Sequence, residues 1–387
     1  MKIKNKFDFS DCALVEIILV AFIVLFTILR QNAAISFCFA LSFIVLLLYV
    51  IKRAAIKKFK IYPLLLIVLA VINVLVNGLL SNDASMGFDY FKKVIMFSAF
   101  VLMLYFSTED PVSAQTVSNV EKIPVICAAM LVCSFFLFGN TTTYGGGITL
   151  GFSNPNFTGM WLLHLAIYTL LFIIDQKKRP IIRLFSVALF AALNWLIFQT
   201  KARSCLIGLF FFVCICLIGK IFKKYIAQKP VFILLVVTVP ILLVAVYRYL
   251  LNAWWFQRIF SFLVSDGKGL DSRLAVWNPA LESLKTHLIL GNYSGISHGT
   301  GASQLHNTHL DVICSYGVIP FILFLYMIYS VCRKAAAQPM NVFNYYALCG
   351  FMSVIVMGSF EATVVAGAMG MNILTAGLMI LANARKE

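Results

Sequence analysis

The chain alternates long apolar runs with short polar breaks, and the runs are too long for the interior of a soluble domain. A bilayer crossing takes about 20 mostly apolar residues, and about twelve segments reach or approach that length. They are Cys12–Leu29, Ala33–Ile51, Ile61–Leu80, Val94–Phe106, Ile123–Phe138, Asn156–Ile174, Ile181–Thr200, Ser204–Phe222, Val231–Tyr249, Val312–Cys332, Val342–Gly358 and Thr363–Ala382. The fourth and fifth are short and can extend into their flanks. Most breaks are a few residues long, which makes neighbouring helices antiparallel. Three are longer: Ser81–Lys93, Gly139–Pro155 and Leu250–Asp311. The last carries Trp254, Trp255, Phe256, Phe260 and Phe262, as an amphipathic element lying in a membrane interface would. Within it Ser272 to about His287 reads as a helix, with Asp271 or Ser272 as its N-cap. No internal repeat or low-complexity tract interrupts this pattern. The expected fold is an all-α polytopic membrane protein. It forms one integral domain over residues 1–387, with 250–311 as a large loop between the ninth and tenth spans.

Composition agrees. The 387 residues are 61% hydrophobic and 12% charged, with a mean hydropathy of +0.94; soluble domains hold about 25% charged residues. A net charge of +16 first suggests nucleic acid, but the placement of the charges argues against that partner. Lys2, Lys4 and Lys6 precede the first span; Lys52, Arg53, Lys57, Lys58 and Lys60 follow the second; Lys177, Lys178, Arg179 and Arg183 follow the sixth. Lys220, Lys223, Lys224 and Lys229 follow the eighth, Arg333 and Lys334 the tenth, and Arg385 and Lys386 the last. With twelve spans all of these fall on one side. The positive-inside rule makes that side the cytoplasm, puts both termini there, and makes the 250–311 loop extracytoplasmic. The expected location is the cytoplasmic membrane, the lipid bilayer being the first partner. The N-terminal segment lacks a clear small-residue cleavage site and is followed by many spans, so it reads as retained. The ten cysteines sit mostly inside spans and form no CxxC or Cys/His spacing, so neither disulfides nor zinc are expected.

Polar residues with chemical potential cluster in the breaks on the other side: Asn156, Arg203, Arg273, Trp277, His306, Asn307 and His309. Arg203 lies in the tight turn Thr200–Lys201–Ala202–Arg203. It is either an interfacial side chain reaching the headgroups or a rigid guanidinium able to grip a phosphate with both prongs. Arg273, in the first turn of the loop helix, is either a surface charge paired with Asp271 or a second phosphate ligand aided by the helix dipole. His306 and His309, three apart, would share a helical face. That also fits a metal site, but no third ligand follows and no metal is expected. A histidine there can instead orient or deprotonate an attacking hydroxyl. Glu16, Asn73 and Asn194 fall inside spans, are scattered, and read as contacts between helices.

Taken in order, these segments resemble the O-antigen ligase and polymerase superfamily of membrane glycosyltransferases. Thr200–Lys201–Ala202–Arg203–Ser204 before an apolar helix is similar to that family's Ser-Arg-Gly-Ala turn. Arg273-x-x-x-Trp277 followed by Leu288–Ile289–Leu290–Gly291 is similar to its Arg-x-x-x-Trp and Leu-Leu-Gly stretch. His306–Asn307-x-x-Leu310–Asp311, with Gly317 beyond, resembles its His-Asn-x-x-Leu and Gly element. Gly151-Phe-Ser-Asn-Pro-Asn156 resembles the segment that opens a central span. The likeness is best over residues 150–332. Ala202 and Ser204 replace small residues usual beside the first arginine, Leu288 stands where proline is common, and Pro320 where glycine is common.

The resemblance implies a GT-C-like membrane enzyme that needs neither metal nor other cofactor. Its donor is a glycan joined through diphosphate to a polyprenyl lipid, and its acceptor is a glycan or lipid-linked hydroxyl that attacks the anomeric carbon with inversion. It gives Arg203 and Arg273 to the diphosphate and His306 to the acceptor hydroxyl as catalytic residues. Trp277, Asn156, Asn307 and His309 become substrate-site residues, the last two as supports. It leaves room for a chain-length regulator as a partner. A polymerase of repeat units is favoured over a ligase handing a finished glycan to another acceptor, on the Phe, Ile and Lys richness of a low-GC source. A transporter of lipid-linked sugar would instead show repeated halves and paired broken helices, which the chain lacks.

Overall fold

The structure, a computed structural model, describes residues 60–80, 84–109, 114–138, 143–144, 146–150, 152, 154–176, 179–221, 226–255, 257–258, 272–291, 305–361 and 369–384. Its helices are α1 (Ile61–Leu80), α2 (Ala84–Glu109), α3 (Ala114–Phe138), α4 (Pro155–Asp175), α5 (Pro180–Thr200), α6 (Arg203–Ile221), α7 (Pro230–Asn252), α8 (Ser272–Thr286), α9 (Thr308–Tyr316), α10 (Val318–Ala336), α11 (Val342–Met357) and α12 (Met369–Ala382). Between α3 and α4 a small antiparallel hairpin pairs Thr143–Tyr144 with Gly147–Ile148. Five of the described segments are long and apolar enough to cross a membrane: Val117–Leu137, Pro155–Asp175, Pro180–Thr200, Pro230–Tyr247 and Val318–Ala336. Large apolar side chains stand outward on these helices, among them Phe185, Phe198, Leu234 and Ile322. So broad an apolar surface belongs in lipid; the chain is an all-α membrane protein.

Proline at the first helical position marks the start of α4, α5 and α7, where its missing N–H costs nothing. Inside the bundle α4 and α11 are buried over most of their length. They hold their neighbours through small residues and hydrogen bonds across helices, as apolar attraction alone cannot in lipid. Gly350 of α11 lies against Ile167 of α4, and Gly208 of α6 against Leu163 and Met357. Ser353 Oγ donates to the Gly208 carbonyl at 2.6 Å, and Tyr345 Oη to that of Ile215 at 2.9 Å. Asn344 Nδ2 donates to the Leu381 and Ala384 carbonyls, tying α11 to α12.

The short fourth and fifth spans extend into their flanks, as expected, within α2 and α3. Three expectations change. The break expected over Ser81–Lys93 is helical from Ala84 onward. The span expected over Val312–Cys332 is two helices, α9 and α10, broken at Gly317 (φ 86°). The cause is a close approach of backbones. Val318 N–H donates to the Leu288 carbonyl at 2.9 Å, and a Cβ on Gly317 would strike the Ile289 carbonyl. Asn194, expected to join helices, donates to Phe190 of its own helix because α5 is peripheral, whereas Asn73 does reach across to the Tyr316 carbonyl. The first two spans, Glu16, the basic residues up to Lys58, Phe256, Phe260, Phe262, Asp271 and the 362–368 start of the last span lie outside the described residues.

Candidate functional site

Helix α9 begins deep beside α7. Pro240 lacks an N–H and loosens the helical ladder around it. The nearby carbonyls of Val237 and Pro240 accept from His309 Nε2 (2.7 Å) and Asn307 Nδ2 (2.8 Å). Pro240 is twelve residues from the Asn252 end of α7, roughly 18 Å at about 1.5 Å per residue. Asn307 is the hinge pin of this region. Its Oδ1 caps α9 by accepting from Leu310 N–H (2.9 Å), while Nδ2 also donates to Ser359 O (2.9 Å), in the turn that follows α11. Thr308 holds the same turn: its N–H donates to Gly358 O (2.8 Å) and its Oγ1 to Glu361 O (3.0 Å).

That turn presents Glu361, a residue the sequence reading passed over. Its side chain is 3% exposed, yet both carboxylate oxygens are engaged. Oε1 accepts from Asn156 Nδ2 (2.8 Å) and Arg273 Nη2 (3.0 Å), and Oε2 from His306 Nδ1 (3.0 Å). Burying an ionised carboxylate is costly unless it is paired and hydrogen-bonded, and here it is both. Three helices thus bring first-turn residues to one carboxyl-bearing residue: Asn156 of α4, Arg273 of α8 and Thr308 of α9. A fourth, α6, starts alongside, where Cys205 Sγ lies 3.8 Å from the Asn156 carbonyl. Helix N-termini carry partial positive charge, so their convergence favours an anion.

The surrounding backbone is under strain. Leu150, Lys201 and His306 adopt left-handed φ of 48°, 53° and 52°, a costly conformation for side chains other than glycine that tends to collect at functional sites. Leu150 precedes α4, and Lys201 makes the tight turn into α6. Gly147 of the hairpin packs on the Thr200 carbonyl, and Gly159 of α4 admits Ala202. His306 is pinned on both sides, by Asn307 and by Leu305, whose carbonyl accepts from Trp277 Nε1 at 2.7 Å.

The structure therefore brings together Asn156, Arg273 and His306 from the expected set. Arg273 is 22% exposed and His306 31%, so both can meet a ligand. Arg203 is partly buried at the start of α6, with no hydrogen-bond or ion-pair partner among the described residues. Trp277, Asn307 and His309 are fully enclosed. Trp277 stands edge-on to Tyr247, and His309 lies between Val237, Phe321 and Phe324, so these three shape the site from behind and do not line it. The shared helical face expected of His306 and His309 is not formed, because His306 sits in a left-handed bend before the helix starts. The signal for Glu361 was present: it is the sole acidic residue between Asp311 and Glu387, within an apolar stretch. A lone carboxylate there is a functional candidate by default.

No family model, curated protein or solved structure matches the chain.

Proposed function

We propose that the chain is a membrane glycosyltransferase of the O-antigen ligase and polymerase superfamily. It joins lipid-diphosphate-linked oligosaccharide repeat units on the outer face of the cytoplasmic membrane. The reading includes about twelve spans with both termini in the cytoplasm. The observation that carries it is the meeting of Arg273, His306 and Asn156 on Glu361, where helix N-termini converge and α6, starting alongside, carries an Arg203 with no partner among the described residues.

An acceptor hydroxyl attacks the anomeric carbon of the donor glycan. A new carbon–oxygen bond forms as the bond to the diphosphate breaks, its electron pair passing to the phosphate oxygen. The hydroxyl proton moves to His306, which returns it to water or to the departing diphosphate. Negative charge grows on the leaving diphosphate, so fixed guanidinium groups act most strongly in the transition state. Arg203 and Arg273 supply them.

The test is the size profile of lipid-linked and surface glycan from cells with and without the gene. Single repeat units left on the lipid carrier after deletion support the polymerase. Full-length chains accumulating on the carrier mean a ligase, and an unchanged profile rejects both.

A further inference from the structure

The functional reading assigns nothing to Glu361. The hydrogen bond of 3.0 Å between His306 and Glu361 runs through Nδ1. A carboxylate only accepts, so the proton of that bond sits on Nδ1 of the ring. In the neutral imidazole the lone pair is then on Nε2, which has no partner among the described residues. The backbone that carries the ring is held on both flanks, by the Trp277 bond to the Leu305 carbonyl and by the triple engagement of Asn307, and the ring itself is held by its bond to Glu361. Glu361 is itself fixed, its backbone carbonyl by Thr308 and its other oxygen by Asn156 and Arg273.

We propose that Glu361 is the positioning residue of the transfer reaction, holding His306 as the Nδ1–H tautomer so that Nε2 is the base that receives the acceptor's hydroxyl proton. When Nε2 takes that proton, the imidazolium faces a carboxylate already aligned on its far side, and the charge gained is matched without rearrangement. Asn156 gains a purpose in the same scheme: its amide donates to Oε1 and so leaves Oε2 for the imidazole alone. Aspartate in this place would have a side chain shorter by one carbon and would reach His306 poorly.

The inference rests on the glycosyltransferase reading for its reaction but not for its geometry, and two measurements separate them. The first is nitrogen-15 NMR of histidine-labelled wild-type protein in lipid nanodiscs, with the His306 signals found by difference from His306→Gln. Five histidines make the assignment tractable. The Nδ1–H tautomer is expected in the wild type, with loss of that preference in Glu361→Ala. An Nε2–H tautomer in the wild type overturns the proposal whatever the activity. The second is steady-state transfer from a synthetic polyprenyl-diphosphate repeat unit. Glu361→Gln should lower kcat on the order of 10²-fold or more, the range of a general base, with a much smaller change in donor KM, and Glu361→Asp should restore only part. A Glu361→Gln protein with wild-type kcat overturns the proposal. Wild-type protein that shows the tautomer but transfers no sugar would overturn the glycosyltransferase reading, and with it the step assigned to Nε2, while the Glu361–His306 geometry stands.

Discussion

Removing Arg273 tests whether the ion pair to Glu361 is coupled in the folded protein. The carboxylate is 3% exposed and the guanidinium 22%, joined at 3.0 Å. Deleting one partner of a buried pair costs about 3–5 kcal/mol because the other charge stays buried without it. In Arg273→Ala the carboxylate keeps Asn156 and His306, which places the expected loss near the lower bound, about 3 kcal/mol. Glu361→Ala should cost less, about 1 kcal/mol, because all three side-chain donors it leaves behind, Asn156, Arg273 and His306, are partly exposed and can turn to water. The double variant should then behave like Glu361→Ala alone, where independent sites would give the sum of the two losses. The assay is thermal unfolding of purified protein in one detergent at one heating rate, since irreversible unfolding makes the midpoint depend on the rate. The expected order is wild type highest, Glu361→Ala and the double variant together below it, and Arg273→Ala lowest. An Arg273→Ala midpoint equal to wild type, or additive losses, would refute the coupling.

Other substitutions probe the rest of the site. Arg273→Ala and Arg203→Ala should each slow transfer on the order of 10²–10³-fold, as removal of one transition-state donor does; Arg273→Lys should recover little, because lysine lacks the fork, and near-full activity in that variant would exclude bidentate binding. Trp277→Phe leaves the Leu305 carbonyl buried without its donor, for about 1–3 kcal/mol of stability, and should lower kcat too by loosening His306; transfer and melting measured on the same preparation check both. Gly317→Ala meets both a left-handed backbone and the Ile289 carbonyl, so the yield of folded protein in fluorescence-detected gel filtration should collapse. Asn307→Asp keeps the cap on α9 but removes the donors to Pro240 and Ser359, and should melt well below Asn156→Ala, which removes a single donor from Glu361.

The helices were legible because each crossing writes its own length as an uninterrupted apolar run, and prolines at 155, 180 and 230 mark where three of them begin. The expected bounds of α1 coincide with those found, and α4 to α7 start or end within a few residues of them. What the runs could not reveal was set by distant backbone. The run over residues 312–332 continues on both sides of Gly317, and the break there is caused by residues 288–291. The site was legible in part for the same reason. Arg203, Arg273 and His306 stood out as polar groups at ends of runs. Glu361 takes its meaning from Asn156, Arg273 and His306, which lie 205, 88 and 55 residues away. Trp277 stands in a motif, but its hydrogen bond to Leu305 and its edge-on contact with Tyr247 are visible only once the chain is folded.

The carboxylate of Glu361 is also an anion that the site carries with it. Arg273 and the converging helix ends would otherwise offer an open berth to any phosphate in the surroundings. Because Glu361 is covalently tethered there, its effective concentration at Arg273 far exceeds that of a free ion. A visiting anion must outbid a resident one, and a group with a single weak charge gains little by the exchange. On the proposed function a diphosphate, with more charge and more oxygens to spread over Arg203 and Arg273, would gain more. The resident carboxylate would then act as a threshold, so that occupancy of Arg273 would report on the charge of the ligand as well as on its presence.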